Sequence, residues 1–200
     1  MSKRQGLIVG ISGASGAAIG MRIVELLADN PHYAVHLVVS PAAERTLSEE
    51  VGSDALARLR AIAFRHHPHS DVGAAIASGS YPVAGMIVAP CSIRTLSAIA
   101  WGQLDNLLTR AADVQLKERR PLVLLVRESP LHLGHLRSML QATEIGAIIA
   151  PPMMRRSGWP FGFSRRIRSA RFLLCAMAAP SLTRSSPDLS RTGTPSFMSK

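Results

Sequence analysis

The chain has 200 residues, 47% of them hydrophobic and 4% aromatic, enough for one domain with a sizeable core. No apolar run reaches the roughly 18 residues that span a bilayer, and Leu7-Ile8-Val9 is too short for a signal-peptide core, so a cytoplasmic protein is expected. The formal charge of +10 is unevenly spread: residues 1–152 hold 14 Lys+Arg against 12 Asp+Glu, and residues 153–200 hold nine against one, which confines any nucleic-acid reading to the tail.

The predicted elements alternate. Leu7–Ile11 reads as a strand, and Gly16–Ala28 as a helix with Ile19, Ile23, Leu26 and Leu27 at helical spacing. Val35–Val39 is a second strand. A helix follows over Pro41–Glu50, where proline suits a helix start because its missing N–H would be unpaired there. Met86–Ala89 is a third strand, Leu104–Lys117 a helix, Leu122–Val126 a fourth strand, Leu131–Thr143 a helix and Ala147–Ala150 a fifth strand. This order predicts an α/β fold, a Rossmann-like (flavodoxin-like) parallel sheet with helices on both faces. Ligands in such folds sit beyond the strand C-termini. Residues 1–152 form the expected domain. Residues 153–200 break the pattern; only Ile167–Met177 has a helical period. Either the tail is a disordered basic segment, or the sequence after Pro151-Pro152 has left its ancestral reading frame.

The strand ends carry the chemistry. Gly10-Ile11-Ser12-Gly13-Ala14-Ser15-Gly16 joins the first strand to a helix. Its glycines permit a tight turn and close approach, the helix start offers N–H groups to an anion, and Ser15 adds a hydroxyl at the cap. The G-x-x-G-x-x-G spacing differs from the dinucleotide fingerprint and lacks a P-loop lysine. The second strand ends at Ser40, with no acid there to hold a ribose; that disfavours NAD and suits a mononucleotide such as FMN. After the third strand, Ser92 and Thr95 in Pro90-Cys91-Ser92-Ile93-Arg94-Thr95-Leu96-Ser97 can cap the next helix. Arg110, Asp113 and Lys117 share one side of the Leu104–Lys117 helix, opposite Leu107, Leu108, Ala111 and Val114. A solvated charged face is the ordinary reading of that trio. Arg127-Glu128 directly follows the fourth strand. His132 and His135 read as helix-start residues, His66, His67 and His69 as a loop, and Cys91 and Cys175 fit no disulfide framework. No metal site is expected.

Taken together, Gly10–Gly16, Pro90–Ser97, Leu107-Leu108-Thr109-Arg110-Ala111-Ala112-Asp113, Leu116-Lys117-Glu118-Arg119-Arg120-Pro121-Leu122 and Val126-Arg127-Glu128-Ser129-Pro130-Leu131-His132-Leu133 resemble the flavin prenyltransferases of the UbiX type. The resemblance runs from about Leu7 to Pro152. Related flavoproteins that decarboxylate cysteine residues share the fold but carry a Pro-x-Met-Asn-type motif in place of Pro90-Cys91-Ser92.

The resemblance implies transfer of a dimethylallyl group from dimethylallyl phosphate to reduced FMN, forming bonds at flavin N5 and C6 without a metal. It implies FMN binding by Gly13, Ala14, Ser15, Ser40, Ser92, Ile93, Arg94, Thr95 and Arg127. It places Ser15, Glu50, Arg110, Lys117 and Glu128 around the prenyl phosphate and reacting carbons. It further implies a homo-oligomer, a dodecamer built from trimers, delivering prenylated FMN to a UbiD-type decarboxylase in ubiquinone synthesis or aromatic acid decarboxylation. The family continues after its double proline with Pro-Ala-Phe-Tyr and then a helix bearing a basic residue, and this Tyr and base help hold the prenyl phosphate. Here Met153-Met154-Arg155-Arg156-Ser157 stands instead. The alternative function is therefore an FMN-binding oligomer with impaired or no turnover. A third reading is an acidic-surface or nucleic-acid binder working through residues 155–171, where Trp159, Phe161 and Phe163 lie among arginines; no recognised module supports it.

Overall fold

The computed structural model describes residues 4–152. The predicted Ile167–Met177 helix, the disordered or frame-shifted tail and the basic surface over residues 155–171 lie outside them.

The chain begins with β1 (Gln5–Ile11), α1 (Ala17–Ala28), β2 (Tyr33–Val39) and α2 (Pro41–Glu50). Next come α3 (Ala55–Ile62), β3 (Arg65–His67) and a single 3-10 turn (Ala75–Ala77). β4 (Val83–Cys91), α4 (Ile93–Ala100), α5 (Leu107–Lys117), β5 (Leu122–Val126), α6 (Leu133–Glu144) and β6 (Ile148–Ile149) complete it. The six strands form one sheet in the order β3-β2-β1-β4-β5-β6, and every neighbouring pair is parallel. This confirms the predicted architecture. The order reverses between β1 and β4, so the crevice at their C-terminal ends is the natural ligand position.

Alternation along the strands builds two cores. Leu7, Val9 and Ile11 pack with Ile87, Ala89, Val123 and Leu125 under α1, α2 and α3. Ile8, Met86, Val88, Leu122, Leu124 and Val126 pack on the other face with Leu107, Leu108, Ala111 and Ala112 of α5, Leu96 and Ile99 of α4, and Ala142 of α6. Burial on both faces explains the continuous apolar runs of β1, β4 and β5. α6 is unusual, since Leu133, Leu136 and Leu140 are half exposed or more along one stripe, with Trp101 and Leu131 also exposed. Among the described residues no helix is long and apolar enough to cross a membrane.

The structure corrects one region. α3 and β3 fall where the sequence shows no clear period, and His66 and His67 lie in a strand rather than a loop. β3 pairs with β2 from His36↔Arg65 to Val38↔His67. That pairing buries His36 and His67, with 3.0 Å between His36 Nδ1 and His67 Nε2. The Tyr81 hydroxyl lies 3.3 Å from His36 Nε2, and the Phe64 ring meets His36 edge-on. Each imidazole therefore uses its neighbour to satisfy a buried nitrogen.

Burial, then the neighbouring His36 and Arg65, lowers the pKa of His67 from 6.5 to about 4. Burial first, then Arg65, lowers that of His36. As pH falls below 6.5 the unfolded chain takes up protons that the folded His67 refuses until about pH 4, so stability is complete above 6.5 and drains away across that window. One pKa unit corresponds to about 1.4 kcal/mol, so with screening the loss is on the order of 2 kcal/mol. Melting temperatures recorded from pH 7.5 to 4.5 are expected to fall, and His67→Gln is expected to flatten part of that decline. An unchanged slope in the variant would remove His67 as its source.

Candidate active site

Several loops meet at the C-terminal rim of the sheet. The first leaves β1 and turns into α1. Gly16 caps that helix with φ 97°, a left-handed conformation that favours glycine. Gly13 is required for a different reason: a Cβ there would run into the side chain and backbone of Ala42 in α2. The two glycines thus let the β1–α1 loop lie flat against the start of α2.

The start of α1 is not open, as the sequence had suggested. Glu50, the last residue of α2, places both carboxylate oxygens on the Gly16 N–H at 3.0 and 2.9 Å. Its Oε2 also accepts from the Ala17 N–H at 2.8 Å. A carboxylate on a helix start is favourable both as a hydrogen-bond acceptor and against the dipole. Ser15 is exposed and does not supply the cap; no side-chain cap comes from the loop itself.

Two more helices begin on the same rim. Ser40 caps α2, its Oγ accepting the Ala43 N–H at 3.2 Å, and its own N–H donates to the Ile11 carbonyl at the end of β1. Ser92 caps α4 as expected, its Oγ accepting the Thr95 N–H at 3.3 Å and donating to Thr95 Oγ1 at 3.1 Å. Cys91 beside it is fully buried, and burial pushes its thiol far up, so it is no nucleophile. Arg94 is exposed and 3.5 Å from Asp105.

Arg127 and Glu128 follow β5 onto this rim. The Arg127 guanidinium lies over the first turn of α1, with Nη1 3.4 Å from where a Cβ on Gly16 would stand. Glu128 is exposed, and its Oε1 accepts from the Ser129 N–H at 3.2 Å. The rim therefore gathers Gly13, Ala14, Ser15, Ser40, Glu50, Ser92, Ile93, Thr95, Arg127 and Glu128, with Arg94 at its edge.

Arg110 and Lys117 are placed differently. Arg110 pairs with Asp113 at 3.2 Å on the partly exposed side of α5. Lys117 ends α5 and pairs with Glu118 at 2.7 Å. Its Nζ stands 3.0 Å from the Cβ position of Gly79, in the stretch leading into β4. Lys117 thus lies by the N-terminal edge of the sheet, opposite the rim. Among the described residues no hydrogen bond or ion pair joins Arg110 or Lys117 to the β1–α1 loop. Two clefts flank the rim without enclosing that loop. One of about 420 Å³ is lined by Val39, Pro41, Glu44, Arg60, His66 and His69. The other, about 390 Å³, is lined by Ile93, Ser97, Trp101, His132, Arg137 and Ser138.

Sequence reasoning passed over Ser12, which is fully buried and bonded to the β4 side of the rim. The available signal was a hydroxyl directly after a wholly apolar strand. His132 does start a helix as read: its Nδ1 accepts the Gly134 N–H at 3.0 Å. Among the described residues no group of three or more His, Cys, Asp or Glu side chains is placed to hold a metal ion.

Comparison with known proteins fits this geometry. Residues 1–155 match the family described as Flavoprotein. The flavin prenyltransferase UbiX of Salmonella typhimurium is 58% identical over 147 residues, covering 74% of this chain and 77% of that protein. The crystal structure of AnUbiX in complex with FMN and dimethylallyl pyrophosphate superimposes with a TM-score of 0.77 at 37% identity, covering 88% of this chain and 94% of that one. A dodecameric FMN-dependent UbiX-like decarboxylase from Escherichia coli O157:H7 gives a TM-score of 0.74 at 41% identity, covering 80% of this chain and 86% of that one.

The Glu50 cap can be tested without ligand. Glu50→Ala leaves two helix N–H groups without their acceptor, and a lost cap typically costs about 1 kcal/mol. Urea unfolding of the unliganded protein is expected to show that loss, with Glu50→Gln recovering part of it. A midpoint unmoved by Glu50→Ala would mean that water replaces the carboxylate at no cost.

Proposed function

The chain belongs to the flavoprotein family, and we propose that it is a flavin prenyltransferase, joining the dimethylallyl group of dimethylallyl phosphate to reduced FMN. The observation that carries this reading is the convergence of the family-like segments Gly10–Gly16, Pro90–Ser97 and Val126–Glu128 on one rim, where β1 and β4 diverge. Domain 1–152 is the catalytic body.

The residues fit a flavin mononucleotide. Gly13 lets the loop lie directly against the start of α2, which holds the loop at the rim, and hydroxyls cap two of the helix starts there. In this reading Gly13, Ala14, Ser15, Ser40, Ser92, Ile93, Arg94, Thr95 and Arg127 hold FMN. Reduced flavin supplies the nucleophilic N5 and C6 to which the dimethylallyl carbons become attached. The chain's own residues manage charge. Arg110 and Lys117 neutralise the phosphate as the allylic C–O bond breaks, and Ser15 donates to the same group. Glu128 faces the cationic allyl fragment, and Glu50 takes up the proton released at the flavin ring.

That assignment requires more than one copy, because Lys117 lies at the sheet edge opposite Ser15. A homo-oligomer, a dodecamer like the Escherichia coli neighbour, would let basic groups of one copy meet the rim of another. The exposed Leu133, Leu136 and Leu140 supply an apolar face for assembly. The product would go to a UbiD-type decarboxylase, and the setting is cytoplasmic. Light scattering of the wild type is expected to give an assembly well above the mass of one chain, and Leu136→Glu is expected to reduce it. A monomer at assay concentration would contradict a shared site.

A second reading is an FMN-binding oligomer with impaired turnover. What favours it is Met153-Met154-Arg155-Arg156-Ser157 where the resemblance calls for a tyrosine and a helix-borne base. The experiment is an anaerobic assay with reduced FMN and dimethylallyl phosphate. This chain is compared with one whose residues after Pro152 are replaced by the family's ending. Losing one preorganised donor to developing charge typically costs about 100- to 1000-fold in rate, so the replacement is expected to accelerate turnover by at least that order. Equal, efficient rates would show that residues 153–200 supply an equivalent clamp; flavin binding without product in this chain alone would establish the second reading.

A further inference from the structure

We propose that Ser12 is a positioning residue that fixes the separation between the β1–α1 loop and the start of α4, and so sets the width of the flavin seat. The proposal rests on the flavin reading above and adds a residue that makes no ligand contact in it.

The β1–β4 ladder ends with Gly10↔Val88. Beyond it β4 is irregular, its register against β5 shifting between Val88 and Cys91. The two strands therefore part just where their loops must present groups at a defined spacing. Ser12 closes the gap. Its N–H donates to the Pro90 carbonyl at 3.2 Å, and its Oγ donates to the same carbonyl at 3.0 Å. The same Oγ accepts the Ser92 N–H at 2.8 Å. The Ser12 backbone thus keeps one rung, and its hydroxyl adds a second donor to the Pro90 carbonyl and supplies the acceptor for the Ser92 N–H, using both its proton and a lone pair.

The consequence lies in what each end is tied to. On one side, the Ser12 carbonyl accepts the Ala14 N–H at 2.8 Å, which folds the loop carrying Gly13 and Ser15. On the other, Ser92 is the cap residue of α4. Ser12 as a whole is only 1% exposed, so water does not readily take the hydroxyl's place. A ligand gripped from both sides depends on the gap being constant, because a displacement of about 1 Å in a positioned group is enough to lose binding or rate.

Removing the hydroxyl leaves the partly buried Ser92 N–H without its acceptor and the Pro90 carbonyl with one donor fewer. The expected result for Ser12→Ala is FMN affinity weakened by about tenfold or more. Affinity is read by quenching of flavin fluorescence, with full-length unliganded protein well below its melting temperature. Ser12→Cys fills nearly the same volume with a weak donor and acceptor. It is expected to fall with Ser12→Ala, and it carries the test if the alanine variant does not fold. Ser12→Thr keeps the hydroxyl and is expected to bind close to wild type. A purely architectural role gives a different pattern: lower melting temperatures for the Ala and Cys variants with wild-type FMN affinity, which would overturn the proposal alone. Wild-type protein that leaves flavin fluorescence unquenched would overturn the flavin reading, and this inference with it.

Discussion

Several helices begin on or near the same edge of this sheet, and every helix start carries backbone N–H groups with no partner inside the helix. How those groups are satisfied organises the rest of the molecule. α2 and α4 use the hydroxyls of Ser40 and Ser92, each immediately before the first helical residue. α5 uses Asn106, whose Oδ1 accepts the Thr109 N–H. α1 has glycine at its cap and borrows a carboxylate from Glu50 instead. That choice follows from the loop's geometry, since the left-handed cap position and the packing against Ala42 leave room for little but glycine. A helix that starts at a glycine must take its acceptor from elsewhere.

The loan has a structural effect. Glu50 ends α2, so its contact with Gly16 and Ala17 closes a bracket: α2 starts beside β1 through Ser40 and finishes on the first turn of α1. Gly13 lies under α2 between those ends. The β1–α1 loop is thus held along its length by one helix. Ser12 holds its inner end to β4 and Arg127 lies over its outer end. A glycine-rich loop that would cost much entropy to order when a ligand arrives is already ordered by these neighbours.

Much of this was legible in the sequence. Pro41–Glu50 and Leu122–Val126 have the bounds read from their residues. The apolar runs of β1, β2 and β4 needed only extension, because strands buried on both faces read as near-continuous apolar runs, with His36 the polar exception inside β2. The Ser92 cap was visible because caps are local. The failures were non-local. Ala55–Ile62 is short, and Arg65-His66-His67 is polar; it is a strand because it pairs with β2, some thirty residues earlier, where His36 also meets His67. Adjacency points to Ser15 as the α1 cap, yet the acceptor, Glu50, stands 34 residues from Gly16. Helical spacing puts Arg110, Asp113 and Lys117 on one side of α5, and they lie on its partly exposed side. Spacing along one helix does not say which edge of the sheet its end reaches.

That last point bears on how the reaction would be divided. α5 has 11 residues, and at 1.5 Å per residue it spans roughly 16 Å. It begins near the rim, where the Leu107 N–H donates to the His69 carbonyl, and ends beside Gly79. Its length therefore separates Lys117 from the loop at Ser15 within one chain. A seat for a flavin ring and a clamp for a leaving phosphate have different needs. The first is built from close backbone approach and small hydroxyls, the second from concentrated positive charge. Within one chain Arg110 is paired with Asp113 and Lys117 with Glu118, and Lys117 stands at the edge of the sheet away from the Glu50 carboxylate that caps α1. In the proposed assembly the two would meet only between copies, so the phosphate clamp would be complete only where a second chain covers the rim and excludes water from it.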